Sequence, residues 1–531
     1  MPQLTWVGKD KVKNHHHDVP FRLLNTQYTF TAKEGTPANS TGNKIIHGDN
    51  LEALKSLLPE FEGKVNCIYI DPPYNTGNEG WVYNDNVNDP KIKKWLGLVV
   101  GKEGEYLSRH DKWLCMMYPR LKLLHRLLAD DGVIFISIDD NEQAHLKLVM
   151  DEVFGSGNFV ANFVWHHRKS SQNDTDVSLS HNYTFCFSKN RKNFRLKPLG
   201  IDESKFSNSD DDIRGDWVAD PMDAPNIREN LTYPITNPNT GEVFYPPQGR
   251  HWRFTQDKFI IALNENRVIF GKTGKSKPQL KRFLSEAQDK GTNPFTIWSD
   301  IETATDATKD IMNIFDGDKV FDTPKPVQLI EKILKLSTDK NAIILDSFAG
   351  SGTTAHAVLK QNAQDSGNRK FILIEMMDYA QTITAERVRR VMNGYGEGTK
   401  VVAGLGGSFD YISVGEPLFL DDGNLNEVVG ETAIRQYVAY SERVTLDTCD
   451  TMQAVNPHCL GLKDDALFVF YYQANAITAL SMSFLATLAV NNLSSRPNSY
   501  VIYADKCTLT PDIMQKYGIT FKRIPRDITR F

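Results

Sequence analysis

Along much of the chain, short apolar runs alternate with stretches whose apolar residues recur at helical spacing. Lys44-Ile45-Ile46-His47-Gly48-Asp49 reads as a strand closing on Gly-Asp, Asn50 to Leu58 as a helix, and Val65 to Ile70 as a second strand. Leu114 to Leu128 has helical spacing, and Gly132 to Ile138 is the apolar run of a buried strand. Asp139-Asp140-Asn141-Glu142 then supplies acids suited to a helix N-terminus. Strands alternating with helices predict an α/β fold with a mostly parallel sheet. From about His166 to Asp310 the rhythm fails. This segment is rich in Asn, Asp, Ser, Pro and isolated aromatics, and it predicts an inserted domain of loops and short strands suited to recognition. The alternation returns at Val327 to Leu336. It continues through the strand Ala342–Asp346, the loop Ser347–Thr354, the helix Ala355–Gln361 and the strand Lys370–Ile374, which ends at Glu375. Beyond Tyr411, Gly415 to Asp450 is acidic and Leu467 to Phe531 suggests a small strand–helix–strand unit. The expected divisions are 1–40 (a polar arm), 41–165, 166–310, 311–412 and 413–531, with no internal repeat.

Size and composition narrow the class. A chain of 531 residues has room for roughly three domains. Apolar content of 40% and charged content of 24% fit an ordinary globular protein. No early apolar segment follows a basic start, so no secretory signal is expected. The longest charge-free stretch, Ala466 to Ser495, contains Gln473, Asn475 and Asn491, and predicts a strand and a buried helix rather than a membrane span. Six cysteines without paired spacing predict reduced thiols in the cytoplasm and no zinc site. His15-His16-His17 invites a metal reading, but neighbouring side chains point in different directions and seldom share an ion. No metal is expected.

Charge adds one feature. Between Arg250 and Lys290 ten basic residues face four acids, a net +6 in a chain whose total is -5. Trp252, Phe254, Phe270 and Phe283 are interleaved with them. A phosphate-tracking surface is expected here, with Arg250, Arg253, Lys275, Lys277 and Lys281 making DNA-phosphate contacts.

Two short motifs carry the chemistry. Tyr69-Ile70-Asp71-Pro72-Pro73-Tyr74-Asn75-Thr76-Gly77 puts two prolines directly after an apolar strand, so the strand must end there. The stiff turn holds Asp71 and Tyr74 at the strand's end. Asp346-Ser347-Phe348-Ala349-Gly350-Ser351-Gly352-Thr353 follows another strand and opens a helix, where glycines let backbone amides approach a ligand. Glu375 ends the next strand, the place where nucleotide-binding sheets put an acid on ribose hydroxyls. The third glycine of a dinucleotide fingerprint is missing, so a nucleoside without a pyrophosphate is the better ligand. Gly271-Lys272-Thr273-Gly274-Lys275-Ser276 looks like a phosphate loop, but Ile269 stands where that pattern needs glycine.

Asp71-Pro72-Pro73-Tyr74 together with Phe348-Ala349-Gly350-Ser351-Gly352 resembles the amino-methyltransferases of DNA. The motif order, with a long insert between, resembles their beta class. Gly48 to Leu54, Pro119-Arg120-Leu121, Gly132 to Glu142, Thr323-Pro324-Lys325-Pro326 and Asn75-Thr76-Gly77 extend the likeness to the modification (Mod) subunits of type III restriction–modification systems. The resemblance covers about residues 1–165 and 310–412. It implies a permuted Rossmann-like methyltransferase sheet, a target-recognition insert and a small C-terminal α/β domain. It implies S-adenosylmethionine as cofactor and N6 of adenine in double-stranded DNA as target, with the base flipped out of the duplex. Asp71, Pro72, Pro73 and Tyr74 would form the catalytic turn. Asp49, Pro324, Lys325, Asp346, Phe348, Gly350, Gly352, Thr353 and Glu375 would hold the cofactor, although Asp49 also suits a helix N-cap. His166-His167-Arg168-Lys169 would border the base pocket or form a plain surface loop. A homodimer and a translocating nuclease subunit are the implied partners, with the C-terminal part serving one or the other. N4 of cytosine is the nearest alternative target. A protein-amide methyltransferase would carry N-P-P-Y and the reverse motif order, and a DNA-binding module without catalysis would not need Asp71, Tyr74 and Gly350 intact.

Overall fold

The computed structural model describes residues 4–76, 108–171, 176–446, 450–493, 495–526 and 528. Gly77, Cys449 and Phe531 lie outside the described residues. The chain forms two compact units, one of Met1–Arg195 with Phe295–Phe531, the other of Leu196–Pro294.

The first unit is built on a ten-stranded sheet. Its strands are β1 (Arg22–Thr31), β2 (Asn43–His47), β3 (Val65–Ile70), β4 (Leu128–Ile138), β5 (Phe159–His166), β6 (His181–Ser188), β7 (Ile297–Trp298), β8 (Ile343–Asp346), β9 (Lys370–Glu375) and β10 (Ser408–Pro417). Their spatial order is β1-β10-β2-β9-β8-β3-β4-β6-β5-β7. The run from β10 to β4 is parallel, while β1 and β6 are antiparallel to their neighbours. The central strands β3, β8 and β9 are buried on both faces. That explains their near-continuous apolar runs, the mark of a covered parallel sheet. Helices α1 (Asn50–Phe61), α2 (Arg109–Leu127), α3 (Gln143–Met150), α4 (Val327–Ser337), α5 (Thr353–Asp365) and α6 (Glu386–Asn393) connect or flank these strands. A capping box between Ser108 and Asp111 starts α2.

One pairing positions the site. β8 lies beside β3, with Ile344 opposite Cys67 and Leu345 opposite Ile68. Both strands run the same way, so the loops after Ile70 and Asp346 leave the same edge of the sheet side by side. In open α/β sheets, ligands bind outside the carboxyl ends of such strands.

The polar arm contains more structure than its pattern predicts. Trp6, Val12 and Val19 are buried in the main core, and β1 is a ten-residue strand. The sequence of β1 lacks an apolar run because it is an edge strand, with several exposed positions.

After β10 the chain adds a four-stranded sheet of β11 (Cys459–Lys463), β12 (Ala466–Phe470), β13 (Ser499–Ala504) and β14 (Ile519–Arg523). Among its described residues the charge-free stretch supplies β12, then two short helical turns, Met482–Leu485 and Val490–Asn492. The expected buried helix is replaced by loops that tuck Leu480, Phe484 and Leu488 into a small core. Among the described residues, no helix is long and apolar enough to cross a membrane.

The second unit lies within the segment assigned to an insert from composition. Its three-stranded antiparallel sheet orders Val268–Ile269, Gln279–Phe283 and Trp217–Pro221. Met222, Ile235, Trp252, Phe259, Val268 and Phe270 form its core. The Gly271 to Ser276 stretch connects two antiparallel strands and opens no helix, unlike a phosphate loop.

Candidate active site

The turn after β3 is held from several sides. Tyr74 donates its hydroxyl to Asp71 Oδ1 at 2.8 Å. Burial, followed by the Asp71 charge, pushes the Tyr74 phenol well above its ordinary value, so it stays neutral and donating. The fully buried Trp113 of α2 donates Nε1 to the Pro73 carbonyl at 2.7 Å. Asn75 follows in the left-handed region, with φ of 59° and its side chain buried.

Lys325 reaches this turn from the loop before α4. Its ammonium pairs with Asp71 Oδ2 and lies 5.0 Å from the centre of the Tyr74 ring. Its backbone carbonyl accepts from Thr353 Oγ1 at 3.2 Å, which ties it to the start of α5. Lys325, expected at the cofactor, pairs with Asp71 and also lines the cavity that holds this turn.

The glycine loop follows β8. Gly350 and Gly352 have φ of 52° and 81°, and a Cβ on either would sit 3.1 Å from Phe321 or from the Thr384 carbonyl. Glycine suits both positions, since any other residue would be strained by the positive φ and would push on its neighbour. Asp346 accepts from Phe348 N at 3.0 Å and Thr354 Oγ1 at 2.5 Å, and Glu375 accepts from Gly350 N at 2.8 Å and Met377 N at 3.0 Å. Burial raises each carboxyl to about 7. The buried Arg387 braces the loop through Ser351 Oγ and Thr353 Oγ1, each at 2.8 Å.

These elements enclose a cavity of about 270 Å³. Asp71, Pro72, Pro73, Tyr74, Pro324, Lys325, Asp346, Phe348, Gly350 and Thr353 all line it. Trp165, His167, Asn182 and Phe321 are also part of its wall. Of the four residues 166–169, His167 is the one that lines it; burial and then the Lys325 charge lower its imidazole to about 4, leaving it neutral. A smaller cavity of about 20 Å³ lies on the other side of Phe348 and Pro73, bordered by Asn50, Arg120, Ser347 and Glu375. Asp49 lines neither cavity. Its carboxylate caps α1 by accepting from Leu51 N at 2.8 Å and Glu52 N at 3.1 Å. Gly352 lines neither cavity and is the N-cap residue just before α5.

The arrangement fits a nucleoside-bearing cofactor. Ser347 Oγ is buried and without a hydrogen-bond partner beside Glu375. A ligand's hydroxyl can satisfy it, beside a Glu375 carboxylate that Gly350, Met376, Met377 and Tyr379 hold in place. Trp113, Arg120, Trp165 and Asn182 escaped sequence reasoning as site residues because each reaches the site from a separate element.

Four of the five cations expected at phosphate are engaged in ion pairs within this unit. Lys281 has a side chain only 1% exposed and is clasped by Asp210 and Asp212, so it cannot reach a phosphate. Arg250 and Lys277 share Asp223, and Arg253 pairs with Asp220 at 2.8 Å, although these three stay partly exposed. Lys275 is exposed. Trp252, Phe270 and Phe283 are buried, so they build the unit's interior and offer no face to a nucleic acid.

Comparison with known proteins bears on this geometry. A family model described as DNA methylase matches residues 65–386. The chain is 38% identical over 395 residues to the Mod subunit of the type III restriction-modification enzyme StyLTI of Salmonella typhimurium, covering 70% of this chain and 58% of that protein. It is 36% identical over 412 residues to the EcoPI Mod subunit of Escherichia phage P1, covering 70% and 63%. The type II methyltransferase M.KpnI of Klebsiella pneumoniae is 33% identical over 372 residues, covering 65% of this chain and 82% of that protein. The chain thus spans about three fifths of the Mod subunits it matches.

Proposed function

The chain belongs to the DNA methylase family, and on that premise we propose that it is a site-specific DNA methyltransferase, acting from S-adenosylmethionine on N6 of an adenine flipped out of the duplex. The observation that carries this reading is the single cavity shared by the Asp71–Tyr74 turn and the Phe348–Thr353 loop, two motifs brought together by adjacent parallel strands.

The chemistry asks little acid–base work of the protein. An exocyclic amine is a poor nucleophile because its lone pair is delocalised into the ring. Asp71 and the Pro72 carbonyl can accept its two hydrogens and turn nitrogen toward tetrahedral geometry. Proline suits this position because it has no competing donor and a fixed φ. The Tyr74 ring offers a stacking face for the base. Lys325 occupies part of this place, on Asp71 Oδ2 and near the Tyr74 ring, and must give way as the base enters. Glu375, Ser347 and the amides of the glycine loop would hold the nucleoside part of S-adenosylmethionine, with Asp346, Pro324 and Phe348 nearer its methionine part. When bound, that cofactor supplies an electrophilic methyl group on a sulfonium. As the N–C bond forms the S–C bond would break, with a neutral thioether leaving and the methylated amine releasing one proton to solvent; alignment and a preorganised polar surround account for most of the rate.

The likeness to two Mod subunits supports placing the activity in a restriction–modification system, with double-stranded DNA as substrate, a homodimer as the working form and a translocating nuclease subunit as partner. Arg250, Arg253, Lys275 and Lys277 remain candidates for phosphate contacts.

The test is transfer of labelled methyl from S-adenosylmethionine to unmethylated bacterial DNA by the purified chain. We expect Asp71→Ala to lower transfer by about a thousandfold, the scale of losing a transition-state acceptor, while cofactor affinity stays within about twofold. Equal transfer by both proteins would refute the assignment of Asp71.

A further inference from the structure

Outside the cavity, behind the catalytic turn, lies a second polar cluster. Glu142 precedes α3 and is completely buried, yet its carboxylate makes no capping bond to its own helix. It reaches back to the turn and accepts from Asn75 Nδ2. The same amide donates to the Arg109 carbonyl at 3.1 Å. The Nδ1 atoms of His110 and His145 lie 2.7 Å and 2.8 Å from separate oxygens of the same carboxylate.

We propose that Glu142 is a positioning residue for methyl transfer, holding through Asn75 the turn that carries Asp71 and Tyr74. This rests on the function proposed above. A buried carboxylate is costly to desolvate, and starting α3 does not require one. Here it fixes a residue in the left-handed region, where Asn is tolerated but needs its side chain tied down. The turn is then gripped on both flanks of Tyr74, with Trp113 holding the Pro73 carbonyl and Glu142 holding Asn75. His110 and His145 use the carboxylate's remaining capacity and keep it aimed at Asn75. Both oxygens of Asp71 depend on where this turn sits, and a displacement of about 1 Å costs on the order of a hundredfold in rate.

The test compares the full chain with Glu142→Leu, which offers no acceptor, and Asn75→Gly. Glycine accepts the positive φ, so the second variant removes the tie without straining the backbone. Hydrogen exchange of peptides covering residues 71–76 reads the turn itself, and labelled methyl transfer reads the rate. We expect both variants to lose protection at 71–76 and to lower kcat by about 10- to 100-fold, with apparent KM for DNA and cofactor within about twofold. The double variant should be no worse than the worse single one, because both break one link. Unchanged protection and kcat in Asn75→Gly would overturn the proposal. So would a bound metal: the two imidazole nitrogens and a Glu142 oxygen lie within 4.8 Å of one another. Stoichiometric zinc in the purified chain, with chelation reproducing the loss, would make the cluster a metal site. A wild-type chain that methylates no DNA would refute the function, while the exchange comparison would still decide whether Glu142 holds the turn.

Discussion

At the scale of single residues, the site is a set of acceptors whose partners are provisional. Asp71 is shared by the Tyr74 hydroxyl and the Lys325 ammonium, one on each oxygen. A base amine stacked on Tyr74 would present the same donor chemistry, so Lys325 outlines its place. Two substitutions separate the contributions of Tyr74. Tyr74→Phe keeps the ring and loses one hydrogen bond, so transfer should fall by less than about tenfold, whereas Tyr74→Ala loses the stacking face and should cost about 10- to 100-fold. Steady-state methyl transfer by both variants checks this; equal losses would show that the hydroxyl alone matters. Glu375 gives a pH prediction. Burial raises its carboxyl to about 7, and ribose hydroxyls favour the ionised acceptor. Cofactor affinity should therefore rise with pH, by up to about tenfold per unit, and level off above about 7. Calorimetry across that range should show the slope in the native chain and a flattened one in Glu375→Gln.

At the scale of elements, strand ends carry the argument, and much of them can be read without a structure. β3 runs over Val65–Ile70 as its apolar run indicates, and β8 and β9 differ from expectation by no more than a residue at each end, because strands covered on both faces write their burial directly into sequence. Edge elements do not. β1 shows exposed positions and owes its existence to pairing with β10, which is distant in sequence. The same holds in the site. The prolines and glycines mark two loops, but the Lys325–Asp71, Trp113–Pro73 and Glu142–Asn75 contacts arise only when separate elements pack. The burial of Trp252, Phe270 and Phe283 was not legible for a related reason, since buried and exposed aromatic residues look alike in sequence. The glycine loop gives the prediction at this scale. In Gly352→Ala the new Cβ meets the Thr384 carbonyl at 3.1 Å with φ at 81°, so we expect a loss of about 1–2 kcal/mol in stability and weaker cofactor binding. Thermal melting with and without S-adenosylmethionine measures both; an unshifted melting temperature would show that the loop adapts.

At the scale of the whole molecule, charge bears on how DNA would be held under the proposed function. Cations of the second unit differ in availability: Lys275 is exposed, while Lys281 is buried between two aspartates. Reversing Lys275 together with Lys277 should weaken DNA binding and lower the slope of log affinity against log salt by about two, near 0.9 per lost phosphate contact. Lys281→Met should instead lower the melting temperature, because it removes the buried cation that Asp210 and Asp212 share and leaves Asp212 to Arg214 alone. Binding titrations at several salt concentrations, beside melting curves, separate these roles, and an unchanged slope in the double reversal would remove those lysines from the interface. The central claim concerns DNA in a cell. It is tested most directly by long-read sequencing of DNA from cells that express the chain or its Asp71→Ala variant. The account predicts N6-methyladenine at one recurring sequence with the intact chain and none with the variant. Methylation at N4 of cytosine would move the target, and the same marks in both samples would contradict the account.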